Sequence, residues 1–263
     1  MTATFLEKVI ARTRESVAAR SSGMSLSAIE ERAAAVRSVA VPHAFRHALA
    51  AAGRTNIIAE IKRASPSKGV INDRIDVGET ALAYQGGGAA AISVLTEPEY
   101  FRGSLDDLTI ARAAVDLPLL RKDFIIDDYQ IYEAAAFGAD AVLLIVAALD
   151  EDKLRYLLGA AGSLGMDAVV EVHTPEDLEI AARAGAAIIG VNNRDLRSLS
   201  VSLDVSRRLI AMRPPGSIMI AESGISSRAE IDELRELGFD GFLIGETLMR
   251  SGDPAAVLEE FGA

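Results

Sequence analysis

Seven side chains able to move protons or hold anions stand at or just past the ends of five short apolar runs: Glu60, Lys62, Lys122, Glu171, Asn192, Arg194 and Glu222. In an extended chain, alternate residues share a face. Ile58, Glu60 and Lys62 therefore point one way, as do Leu120, Lys122 and Phe124, and Val169, Glu171 and His173. Asn192 with Arg194, and Ile220 with Glu222, follow the same pattern. Glu and Lys together can take and give a proton on one substrate, and Lys and Arg can hold its carboxylate or phosphate. Any one pair is as readily an internal ion pair that only neutralises itself. Seven such groups at five run ends are different. Desolvating them costs free energy that apolar neighbours cannot return, which favours a ligand. Periodicity does not say which face is interior, but all seven can face inward without breaking alternation.

The runs belong to a recurring unit, a small residue or Gly followed by an apolar stretch: GGAAAISVLT (87–96), GADAVLLIV (138–146), GMDAVVEVH (165–173), GAAIIGVNN (185–193) and GFDGFLIGE (238–246). The leading Gly suits a helix end, and the Val/Ile-rich stretch suits a strand buried on both faces. TNIIAEIK (55–62), LPLLRKDF (117–124) and SIMIAESG (217–224) add three more, giving eight strands. Amphipathic segments with helix-start signals lie between them. Ser104 with Asp107 and Ser227 with Glu230 read as capping boxes, and Thr174-Pro175 and Asp253-Pro254 place Pro at the first helical position. Strand then helix, eight times, predicts parallel pairing with right-handed crossovers, closed as a (β/α)8 TIM barrel. An open doubly wound sheet competes, but no GxGxxG follows the first strand. Two helices are expected before the barrel, over 4–19 and from a capping box at Ser27–Glu30 to about Val36. No linker or composition shift marks a second domain, so the expectation is one domain: a helical extension (1–52) packed on a barrel (53–263).

Barrels carry their chemistry at the C-terminal ends of strands. The seventh and eighth runs end in Ser223-Gly224 and Gly245-Glu246, turns that let backbone N–H groups approach a phosphate, helped by the positive end of the following helix. Either turn alone is as well read as a tight bend. The loop Arg63–Gly69 reads equally as a lid over an anion or as plain surface. His43, His47 and His173 are scattered and receive no role.

Composition narrows the field further. The chain has 263 residues, 50% hydrophobic and 25% charged, which excludes disorder and fibrous repeats. A net charge of -11 disfavours nucleic acid and anionic membrane surfaces as partners. Zero Cys means no disulfide, thiol nucleophile or thiolate metal site, and no metal-ligand cluster is evident. The start carries Glu7 and Lys8 where a signal peptide needs an apolar core. The longest uncharged apolar run, Ala141 to Leu149, is far short of the roughly 18 residues of a membrane span. A cytoplasmic protein is expected by default.

IIAEIKRASPSKG (57–69) resembles the signature of the indole-3-glycerol phosphate synthase family. SVLTEPEYFRGS (93–104), LPLLRKDFIID (117–127), IGVNNRDL (189–196) and IAESGI (220–225) resemble it in the same order, and the likeness continues through GFLIGETLM (241–249). Departures are slight, at Thr247 and Asn193. The resemblance implies ring closure of 1-(2-carboxyphenylamino)-1-deoxyribulose 5-phosphate to indole-3-glycerol phosphate, with loss of CO2 and water and no metal or organic cofactor. A Lys partly desolvated in a barrel mouth can have its pKa lowered toward working pH and so serve as a proton donor; the resemblance implies Lys122 as that general acid and Glu171 as base. Glu60 and Lys62 are implied in dehydration and anion binding. Asn192, Arg194 and Glu222 match residues around the sugar hydroxyls and carboxylate, and Ser65 lies in the loop near the carboxylate. Phe101 and Phe124 match aromatic walls, and Ser223, Gly224, Gly245 and Glu246 the phosphate site. Lys62, Lys122 and Arg194 are expected to form a local positive focus in an acidic protein. A monomer, or transient contact with other tryptophan-pathway enzymes, is compatible with the sequence. Two rivals remain: phosphoribosylanthranilate isomerase, disfavoured because that family pairs a Cys base with an Asp acid, and a catalytically silent phosphosugar-binding barrel.

Overall fold

A computed structural model describes residues 4–195 and 198–263. Eight parallel strands close into a barrel: β1 Ile57–Ile61, β2 Ala91–Leu95, β3 Leu119–Lys122, β4 Ala141–Ile145, β5 Asp167–Val172, β6 Ile188–Asn192, β7 Ile218–Glu222 and β8 Gly241–Ile244. Each strand pairs with its sequence neighbours, and β8 closes on β1 through Ile57 with Phe242 and Ala59 with Ile244. All eight expected runs are strands. Outward residues such as Ile92, Val94, Val142 and Leu144 pack under the surrounding helices, and Ile58, Leu120, Val169 and Ile220 pack inside the barrel. Burial on both faces explains why the runs are almost unbroken in Val, Ile and Leu.

Gly138, Gly165, Gly185 and Gly238 each take a left-handed φ just ahead of a strand, the conformation that lets a helix stop and the chain turn inward. Ser227 with Glu230 forms the expected capping box, and Thr174 caps its helix together with Asp177. Two caps differ from expectation. Ser104 accepts from the Asp106 N–H, because Asp107 is drawn away to Arg63 (Nη2–Oδ1 2.9 Å). The second N-terminal helix starts at Leu26 with Ser25 as its cap, two positions before the expected Ser27, which places Ile29 and Ala33 on its buried side.

The helices before the barrel are α1 (Phe5–Gly23), α2 (Leu26–Arg37) and α3 (Ala44–Leu49). α3 buries Phe45 and Leu49 against the barrel floor, where Leu49 lies close to Gly241. α2 packs on the helix Asp128–Ala136, which follows β3. α1 brings Phe5 to the opposite end, edge-on to Phe124 (ring centroids 6.3 Å) and Tyr100 (5.0 Å). Arg20 of α1 ties this arrangement to Glu133 at 2.7 Å. Among the described residues no helix is long and apolar enough to cross a membrane.

Candidate active site

Inside the barrel, side chains stack in layers drawn alternately from odd and even strands. Ile58, Leu120, Val169 and Ile220 form an apolar layer from β1, β3, β5 and β7. Two residues further along those strands stand Glu60, Lys122, Glu171 and Glu222. Alternation thus puts one Lys and three Glu in a single ring, and register does the rest. Lys122 Nζ lies 2.6 Å from Glu222 Oε2 and 3.4 Å from Glu171 Oε2. Lys62, just past β1, donates to Glu60 Oε1.

The ring decides the charge states. Burial works against the Lys122 ammonium, but Glu222, Glu171 and Glu60 outweigh it and raise its pKa. The expected lowering is therefore overturned, because three carboxylates converge on one amine. Burial pushes the Glu222 carboxyl up to about 7 despite the attraction of Lys122, and Glu171 and Glu60 push the same way.

A cavity of about 370 Å³ opens above this ring at the C-terminal ends of the strands. Glu60, Lys62, Lys122, Glu171, Asn192 and Arg194 line it. Ser65, Phe101 and Phe124 form part of its walls, and Ser223, Gly224, Gly245 and Glu246 one end. Glu222 does not line it; with its side chain 1% exposed, it lies beneath Lys122. Phe101 and Phe124 stand 6.4 Å apart, tilted at 41°. Ser223 and Gly224 both have left-handed φ, +67° and +82°. The helix after β8 (Glu246–Arg250) has only five residues, so its contribution at that end is one short turn.

The loop after β1 is more than plain surface. Ala64–Ser65 pairs antiparallel with Gly69–Val70, and Ser65, Pro66 and Ser67 reach the cavity. Arg194 Nη1 donates to Ser67 Oγ at 3.0 Å and to the Leu199 carbonyl at 3.1 Å, and its backbone N–H donates to Asn192 Oδ1. Thr247 donates to the Ile225 carbonyl, and Asn193 is buried on Ser223 and Ser206, so neither departure from the family pattern opens the site.

Some neighbours had no usable signal in the sequence. Phe5 lines the cavity from a helix that ends well before the barrel begins. Arg121 points out of the barrel, opposite to Lys122. It is buried among Asp123 (2.9 Å), Glu133 (2.9 Å) and Thr96 (3.2 Å), so β2, β3 and the helix behind them are tied together. Alternation would have placed it in the wall, but not its partners. Among the described residues no group of three His, Asp or Glu side chains is arranged to hold a metal ion.

A closed parallel barrel with a ring of ionisable side chains beneath a mouth walled by aromatic rings and glycine turns defines the class: a (β/α)8 barrel with its cavity at the C-terminal ends of the strands. The fold alone is shared with 3-hexulose-6-phosphate synthase of Salmonella typhimurium, with a TM-score of 0.63 at 16% identity over 79% of this chain and 96% of that one. Sequence likeness goes much further. The model of the indole-3-glycerol phosphate synthase family matches residues 6–261. Indole-3-glycerol phosphate synthase of Carboxydothermus hydrogenoformans is 46% identical, covering 97% of this chain and 98% of the relative. That of Mycolicibacterium smegmatis is 49% identical, covering 98% and 93%. The chain belongs to the indole-3-glycerol phosphate synthase family, and is a carboxy-lyase of tryptophan biosynthesis.

Proposed function

We propose that this cavity closes the indole ring of 1-(2-carboxyphenylamino)-1-deoxyribulose 5-phosphate and that the ring of ionisable groups beneath it divides the work. The ring carbon bearing the carboxylate attacks the ribulose ketone, and the ketone oxygen takes a proton from Lys122. CO2 then leaves with its bonding electrons returned to the ring. Glu171 removes the anilinium proton as water is lost, aided by Glu60 and Lys62 on the opposite strand. General acid–base steps of this kind each contribute roughly 10²–10⁴ in rate.

The remaining residues bind. Phe101 and Phe124, with Phe5 beside them, suit the aromatic ring. Asn192 and Arg194 suit the sugar hydroxyls and the carboxylate, with Ser65 near the latter. The backbone at Ser223-Gly224 and Gly245-Glu246 suits the phosphate. Glu222 is better placed to hold Lys122 than to touch the sugar, since it lies under the cavity and not in its wall. A substrate of this charge does not cross a membrane unaided. It fits a cytoplasmic enzyme working as a monomer or in transient contact with other enzymes of the pathway.

The observation that carries this reading is Lys122 held between Glu171 and Glu222 directly below the aromatic and glycine walls. The test is to mix the protein with the carboxyphenylamino-deoxyribulose phosphate, chelator present, and follow indole fluorescence. A rise is expected. No rise from a folded protein that still binds the ligand would leave only a silent barrel.

A further inference from the structure

Gly190 sits in the middle of β6, facing the barrel interior, where a glycine has no backbone reason to be. Its φ is not left-handed, no turn or bulge occurs there, and it pairs in register with Glu171 of β5 and Ile220 of β7. Glycine in a strand interior weakens the strand, so something other than conformation calls for it. That something is the Glu222 carboxyl group. A Cβ at position 190 would collide with Glu222 Oε1, stand 3.0 Å from Glu222 Cδ and lie 3.1 Å from Val169 Cγ1. Glu222 Oε1 is buried with no hydrogen-bond partner among the described residues, while its other oxygen holds Lys122 Nζ at 2.6 Å.

The same device occurs once more in the ring. A Cβ on Gly245, at the end of β8, would collide with Glu60 Oε1 and stand 3.0 Å from Glu60 Cδ. Each of these carboxyl groups, from β7 and β1, thus occupies the space that a side chain on the neighbouring even strand would fill. Position 245 also serves the mouth of the cavity, whereas position 190 lies beneath it and has no other task.

We propose that Gly190 is a positioning residue for the reaction: the bare Cα is the seat of the Glu222 carboxyl group, and it keeps that group directed at Lys122. Any larger side chain at 190 tips Glu222 off its seat and leaves the Lys122 ammonium without its nearest counter-ion. The inference rests on the role proposed for Lys122 and adds a residue that touches neither substrate nor Lys122. Misplacing a catalytic group by about 1 Å can cost on the order of 10² in rate, which sets the scale of the effect.

The experiment is a mutant cycle of Gly190→Ala, Glu222→Ala and the double variant, read by turnover and by melting temperature, with Gly190→Ala/Val169→Ala as control. Gly190→Ala is expected to lower kcat by about 10²-fold with KM changed less than about threefold, the split expected when a proton donor is misdirected and binding is intact. Its pH–rate profile should also shift, because the groups facing Lys122 (Glu222, Glu171 and Glu60) no longer hold it equally. In the Glu222→Ala background the same substitution should change kcat less than about twofold, since the seat is already empty of its occupant. A merely steric role gives additive losses in both readouts, relieved by Val169→Ala and not by removing Glu222, and that result overturns the proposal. So does wild-type kcat in Gly190→Ala. If Gly190→Ala does not fold, the double variant decides: it folds if Glu222 is the obstacle, and its failure to fold refutes the inference. A wild-type protein without turnover would refute the functional reading instead, and the melting-temperature cycle would still test the seat.

Discussion

Lys122→Ala removes the cation from the ring of Glu60, Lys122, Glu171 and Glu222, and its consequences can be worked for rate and stability separately. The rate loss follows from the proposed role of general acid, about 10²–10⁴ in kcat. The stability loss depends on pH, and its sign follows from Glu222. In the native protein this carboxyl sits at about 7, above its ordinary value of 4.5. A raised folded value means that its contribution is complete below the unfolded value, declines as pH rises toward 7, and is then constant. Lys122 is among the groups holding the Glu222 value down. Without it, the folded value moves above 7 and the decline continues. Each further pH unit over which Glu222 keeps its proton in the variant costs about 1.4 kcal/mol. Between pH 7 and pH 8.5 the gap between variant and wild type should therefore widen by up to about 2 kcal/mol. For a chain of this size that is roughly 4–8 °C in melting temperature.

Indole fluorescence measures the first effect, and thermal melts of both proteins at pH 7 and pH 8.5 measure the second. A folded Lys122→Ala enzyme with kcat within tenfold of wild type would place the acid elsewhere, with Lys62 next in line. A melting gap that stays constant between the two pH values would mean that Lys122 does not govern Glu222, and the electrostatic reasoning would fail even if the catalytic assignment survived.

Three further outcomes are expected. Glu171→Gln should slow dehydration more than condensation, so that a decarboxylated, undehydrated intermediate accumulates in single-turnover absorbance traces; equal slowing of both steps contradicts its role as base. Arg121→Met leaves Asp123 buried without its cation and Glu133 with Arg20 alone, and should cost about 3–5 kcal/mol in a urea titration, whereas a loss under about 1 kcal/mol would show that the wall network is dispensable. Gly224→Ala combines a left-handed φ of +82° with a Cβ 2.6 Å from Val201 Cγ1. Its displaced turn should raise KM about tenfold with a smaller change in kcat, and an unchanged KM would remove this turn from the phosphate site.

The barrel was legible because strands buried on both faces leave little room for polar residues. A Glu or Lys at the end of IIAEI or LLRK therefore stands out, and alternation alone gives its face. Relations between strands were not legible. Nothing along the chain places Lys122 between Glu171 and Glu222, so burial alone points to a lowered pKa where the three carboxylates in fact raise it. Local ambiguities had the same origin. Ser25 and Ser27 are equally good caps, and tertiary packing of Ile29 and Ala33 chose between them. Asp107 suits a capping box or an Arg partner, and Arg63 claimed it from a distant loop. Gly190 reads in sequence as an ordinary small residue in a strand; only the Glu222 side chain lying against it gives the glycine a purpose.

Those cross-strand relations also change how an acidic protein meets an anionic substrate. Free Lys62 and Lys122 would form a positive focus in a molecule of net charge -11. In the folded site Lys62 is paired with Glu60, Lys122 with Glu222 and Glu171, and Lys68 with Glu246 at the rim. Long-range attraction from the lysines is largely cancelled by these neighbours. Arg194 differs, since its guanidinium donates to the neutral oxygens of Ser67 and Leu199. On the proposed reading, anion binding then falls mainly to Arg194 and to backbone donors in the glycine turns, which act only at short range. What the glutamates contribute is a different property. A lysine ringed by carboxylates keeps its proton in a site where burial works against its charge, and the proposed ring closure needs that proton at the moment the ketone oxygen becomes negative. The site gives up attraction at a distance in order to hold its acid charged.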